Sequence, residues 1–178
     1  PSPSTSSNCP SAARSPSAVR VPPSSRGIGE KVALVSLMDR VARGTSPEIR
    51  QVRASYGEAE RRIEVAAHPG VFASDAQTFS LLSVQCVAGD GSGLAMGYES
   101  GGGTVGWEFL EEFSPETLAR KAAGRAARTL SARRIEGGRM PVILSAEAGG
   151  TMVHEAIGHG LEADLARQGM SVFKDALG

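Results

Sequence analysis

The chain has 178 residues, with 19 basic and 19 acidic side chains, and only 4% aromatics. Outside residues 1–27 it carries 16 basic and 19 acidic groups, a net charge of −3. A slightly acidic body excludes electrostatic nucleic-acid binding, which needs a basic face, and no apolar run reaches the roughly 18–20 residues of a membrane span.

Residues 1–27 hold six of the ten prolines, nine serines and no acid, so they cannot bury enough apolar surface to offset ordering and read as a disordered Ser/Pro-rich tail. They lack the apolar core of a secretory signal, and their Ser/Arg-rich character only faintly suggests a transit peptide. Cys9 and Cys86 cannot build a disulfide framework, which makes a reducing, cytoplasmic compartment the default.

From Glu30 to Arg43, Val32, Leu34, Val35, Met38, Val41 and Ala42 recur at three- and four-residue steps, predicting an amphipathic helix that ends at Gly44. Residues 50–56 and 61–67 alternate polar with apolar, with Gly57, Glu58 and Glu60 as the turn between two strands. The apolar run 79–88 predicts a third strand with Leu82, Val84 and Cys86 on one face. Gly89-Asp90-Gly91 then turns the chain into a weaker strand over 93–99. These strands form an antiparallel meander, interrupted at Gly101–Gly103.

Ser114-Pro115-Glu116 is a cap, a first-turn proline and an early acid. The helix they open runs to about Arg133 with Leu118, Ala122, Ala126, Ala127 and Leu130 inward, its alanines implying close packing on the sheet. Residues 140–145 predict a short buried strand, 146–150 a loop, and a second helix begins near Thr151. The fold class is α+β: an antiparallel sheet with packed helices over 28–139, then the strand and helix that open a second domain over 140–178.

Two of the three histidines bracket His154-Glu155-Ala156-Ile157-Gly158-His159, a spacing that this composition yields by coincidence roughly three times in a thousand. The zinc-peptidase signature His-Glu-x-x-His advances about 400° along an α-helix and leaves its imidazoles about 40° apart. The five-residue spacing here leaves about 140°, too far for one ion about 2.0–2.1 Å from each nitrogen. The helix must absorb a residue as a π-bulge or a break, with Gly158 and Gly160 placed to tolerate it. On this reading His154 and His159 ligate Zn²⁺ and Glu155 is the general base toward water. The competing reading makes the same residues ordinary polar groups at a helix end. A catalytic zinc needs a third protein ligand. Glu162 and Asp164 are simpler as solvated or capping carboxylates, Cys86 belongs with the core, and His68 before Pro69-Gly70 is a surface turn residue.

The run MPVILSAEAGGTMVHEAIGHGLEADLARQGMSVF (140–173) closely resembles the HExxxH segment of the TldD branch of the TldD/PmbA family, known also as modulators of DNA gyrase. The helix near Lys31–Arg43, the strand FSLLSVQCVA and the cluster GGGTVGWEF agree in order, so the resemblance covers about residues 28–178. It implies a cytoplasmic zinc metallopeptidase acting on unfolded or short peptides inside a dimer cavity, as a homodimer or with a TldE/PmbA-like subunit. It assigns zinc to His154 and His159 and the base to Glu155. The PmbA/TldE branch lacks the HExxxH, so its presence favours TldD. The family's third ligand is a cysteine far downstream and its N-terminal domain is absent here, so this chain is expected to be a partial one with little or no peptidase activity. The alternative is a non-catalytic regulatory or binding subunit of the gyrase-modulator type.

Overall fold

The computed structural model of the chain describes residues 19–91, 93–133 and 135–176, without the side chain of Glu147; Cys9 and the rest of residues 1–18 lie outside them. The chain divides into two compact units, residues 1–133 and 134–178.

In the first unit, α1 (Ile28–Thr45) precedes three antiparallel strands, β1 (Ile49–Ala67), β2 (Val71–Gly89) and β3 (Leu94–Gly103), in the order β1-β2-β3. A 3-10 turn, Trp107–Glu111, leads into α2 (Pro115–Leu130). The α+β class and the meander hold, with three strands where the alternation suggested four. Gly57-Glu58-Ala59-Glu60 is not a turn: these residues pair across to Leu81, Ser80, Phe79 and Thr78, inside one continuous 19-residue strand. Within that strand Glu58 is held by a salt bridge from Lys31 Nζ of α1 (2.7 Å) and a hydrogen bond from Tyr56 Oη (2.6 Å). The reversal falls instead at His68-Pro69-Gly70, where Gly70 takes φ 75°, open to glycine at no steric cost. Nor do Gly101–Gly103 break β3: they pair with Leu82, Leu81 and Ser80, and Phe113 covers Gly101.

The core lies between the sheet and the helices. Leu82, Val84, Cys86 and Ala88 alternate along one face of β2, and Met38, Ala42, Leu118, Ala119, Ala122, Ala123 and Ala126 close over it. Each buried leucine or valine contributes about 1.5–3 kcal/mol. The alanines of α2 serve distance as well as burial. A Cβ on Gly97 of β3 would stand 2.0 Å from the Ala122 carbonyl oxygen, so helix and strand backbones touch there. Ser114 accepts from the Thr117 N–H (3.3 Å) and Pro115 opens α2, as the sequence indicated. In α1 the apolar stripe buries only Met38 and Ala42, and Val32 is exposed.

Residues 19–27 differ from the tail expected of them. The Glu108 carboxylate accepts the backbone N–H groups of Arg20 (2.8 Å) and Val21 (3.0 Å), and the Trp107 N–H donates to the Val21 carbonyl (2.8 Å). A short 3-10 turn, Pro23–Ser25, follows. A partner some 87 positions away in sequence satisfies this backbone, which composition could not reveal.

In the second unit, residues 140–145 are not a buried strand. They join no ladder among the described residues, and Met140, Val142, Ile143 and Leu144 are exposed. An apolar run becomes a strand only where another strand takes its backbone hydrogen bonds. Ser145 then caps α3 (Ala146–Val153), accepting from the Ala148 N–H (3.4 Å), so residues 146–150 are helix rather than the predicted loop, and the helix begins ahead of Thr151. A π turn (His154–Gly158), a 3-10 turn (His159–Leu161) and α4 (Ala163–Arg167) complete the unit.

Candidate metal centre

Five residues separate His154 from His159, and the backbone absorbs the surplus where the motif needs it. α3 gives way at His154 to the π turn, in which the His159 N–H donates to the His154 carbonyl, an i→i+5 bond joining the two histidines. A turn enlarged by one residue returns His159 over His154, as a regular helix does for residues four apart. The rings lie 4.5 Å apart between centroids and are inclined at 71°.

The glycines do not act as expected. No motif glycine has positive φ, and Gly158 sits at φ −55°, ψ −54°, an ordinary helical conformation. A Cβ on Gly158 would come no closer than 3.6 Å to the His154 ring. Gly160 matters for contact: its Cβ would lie 2.6 Å from the Phe173 ring. Buried Ser171 donates its hydroxyl to the Gly160 carbonyl and accepts from the Phe173 N–H (3.0 Å), holding the segment after α4 against the 3-10 turn.

Glu155 follows the first histidine but does not point away from the second. Its Oε2 lies 3.6 Å from His159 Nε2. One donor atom from each of His154, Glu155 and His159 lies within 4.8 Å of the others, and all three residues are exposed. Two imidazoles are donors suited to a divalent first-row metal, and the carboxylate stands close enough to face water on such an ion, so the residues fit one. Cys86 is buried in the core of the first unit, as expected, and His68 is an exposed turn residue.

Glu162 is exposed, as expected, but it does not cap α4. Its Oε1 lies 2.6 Å from His159 Nδ1, and although it is the N-cap residue of α4 its side chain makes no cap bond. The hydrogen bond to Glu162, then its charge, raises the pKa of His159 above the ordinary imidazole value. The available signal was the three-residue step after a candidate ligand, which places two side chains on one helical face. Asp164 lies in the first turn of α4.

Residues 21–130 match the PmbA/TldA metallopeptidase central domain, and residues 137–178 match its C-terminal domain. The chain belongs to the PmbA/TldD metallopeptidase family. It is 36% identical over 157 residues to a metalloprotease of Methanothermobacter thermautotrophicus, covering 88% of this chain and 34% of that protein. To the TldD-homologue metalloprotease of Haemophilus influenzae it is 30% identical over 154 residues, covering 84% and 32%. The chain thus spans about a third of the length of these relatives. Two structures described as DNA gyrase modulators share its fold at 17% identity. That of Thermotoga maritima gives a TM-score of 0.74 over 93% of this chain and 37% of its own, and that of Bacteroides thetaiotaomicron 0.73 over 93% and 38%.

Proposed function

We propose that this chain forms part of a zinc-dependent peptidase acting on unfolded or short peptides, with His154 and His159 as metal ligands and Glu155 as general base. The observation that carries it is the convergence of these three donors through a π turn at the one point where the sequence departs from zinc-helix spacing. Metalloprotease relatives support the same reading. Zinc held there supplies Lewis acidity, polarising a peptide carbonyl and making water acidic enough to react near neutral pH. Glu155 accepts the proton of the attacking water at a carboxylate oxygen and returns it to the leaving amine. Its place beside His159 Nε2, away from the Glu162 side of the ring, favours that role.

The ligand set is incomplete within the cluster, since a catalytic zinc takes three protein ligands and keeps one position open. The 178-residue chain alone therefore binds zinc loosely and cleaves little peptide. The activity resides in a longer protein supplying a third ligand, working as a homodimer or beside a TldE/PmbA-like subunit. A cytoplasmic setting is part of this reading. It is supported by the scarcity of cysteines.

The test is peptide hydrolysis by the intact protein, with and without a chelator, beside Glu155→Gln. Loss of about 10²–10⁴-fold in kcat with zinc retained supports the assignment. Cleavage unaffected by both the chelator and Glu155→Gln overturns it.

A further inference from the structure

We propose that Glu162 is a positioning residue: its carboxylate accepts the Nδ1–H of His159, leaving Nε2 bare and turned toward the donor cluster. The inference rests on the metal reading above and adds to it a residue that fixes which nitrogen is offered.

Three observations carry it. Glu162 Oε1 lies 2.6 Å from Nδ1, while Nε2 of the same ring faces Glu155 Oε2 at 3.6 Å, so the two nitrogens have different partners on opposite sides. The 3-10 turn His159–Leu161 tightens the chain so that the residue three positions on stands over the ring. Glu162 also occupies the N-cap position of α4 in extended backbone (φ −64°, ψ 127°), the geometry from which a carboxylate ordinarily takes the first free N–H groups of a helix, and makes no such bond. Its oxygen is committed to the imidazole instead.

The chemistry requires such a partner. A neutral imidazole carries its proton on one nitrogen and ligates through the other, and a carboxylate bound to the protonated side fixes both tautomer and ring orientation. Without it the ring is free to place the proton on Nε2, the side facing the cluster, and must change tautomer before it can bind an ion there.

The test needs no activity. Heteronuclear NMR of the labelled histidine rings in the metal-free 178-residue chain reads the tautomer of His159 directly, and a zinc titration of the same samples reads affinity. Wild type is expected in the Nδ1–H form. Glu162→Ala shifts the ring toward Nε2–H and weakens zinc binding by about ten- to a hundredfold. Glu162→Gln, whose amide oxygen still accepts the bond, restores the tautomer and much of the affinity. Unchanged tautomer and affinity in Glu162→Ala overturn the positioning role. A chain with the Nδ1–H ring whose zinc affinity is unchanged when His154 and His159 are both replaced by Ala overturns instead the metal reading on which it rests.

Discussion

His159 donates its backbone N–H to the carbonyl of His154, five residues earlier, and the same bond that defines the π turn brings their rings to 4.5 Å. The extra residue of the motif is thus taken up by a hydrogen-bonding choice of the main chain. Every residue from Val153 to His159 whose dihedrals define the turn's ends is right-handed helical, so the distortion asks for no special residue type.

The two motif glycines therefore respond differently to substitution. Gly158→Ala adds a methyl at ordinary contact distance in helical backbone and is expected to leave zinc affinity unchanged and stability equal or better, by up to about 1 kcal/mol. Gly160→Ala forces the Phe173 ring aside and is expected to loosen the link through Ser171, lowering zinc affinity. Thermal melts and zinc titrations of both variants check this. Damage from Gly158→Ala equal to that from Gly160→Ala contradicts it.

In the first unit the contact of α2 with β3 is expected to be the least tolerant point. A Cβ on Gly97 meets the backbone of Ala122 and Ala126 rather than a movable side chain, so the helix must lift from the sheet. Gly97→Ala is expected to cost about 3 kcal/mol by overpacking, read in denaturant melts. A loss below about 1 kcal/mol shows that the helix adjusts at little cost.

Glu58 gives the pH dependence. The hydrogen bonds from Lys31, first, and from Tyr56 hold its carboxyl below the ordinary range, while burial, then Glu58 itself, pushes the Tyr56 hydroxyl up. A carboxyl whose folded pKa is depressed stabilises the fold above its unfolded pKa, about 4.3, and loses that contribution as pH falls through the folded value. Glu58→Gln is expected to destabilise by about 1 kcal/mol, about 2–4 °C in Tm, at pH 6–8. The difference should shrink below about pH 4. A gap independent of pH rules out the ion pair as its source.

What could be read in the sequence was what local chemistry decides. Ser114-Pro115-Glu116 specifies its helix start because cap, ring and charge act within one turn. Leu82, Val84 and Cys86 specify an inward face by alternation alone. The need for a π turn followed from counting degrees per residue. What escaped depends on partners distant in sequence: Gly57–Glu60 resembles a turn until Thr78–Leu81 supply its ladder, and Val21 resembles tail until Trp107 and Glu108 take its backbone. Residues 140–145 have strand composition without a strand to join among the described residues. Glu162 was visible as a carboxylate three residues after a histidine, but its choice of the imidazole over the α4 N-terminus is a matter of geometry.

The central claim, that both imidazoles serve one ion, is tested most directly by X-ray absorption of the zinc-loaded chain. Wild type is expected to show two imidazole nitrogens at about 2.0–2.1 Å, with His154→Ala and His159→Ala each reduced to one and binding more weakly. Zinc bound with one imidazole in wild type, or with equal affinity when both histidines are replaced, contradicts it.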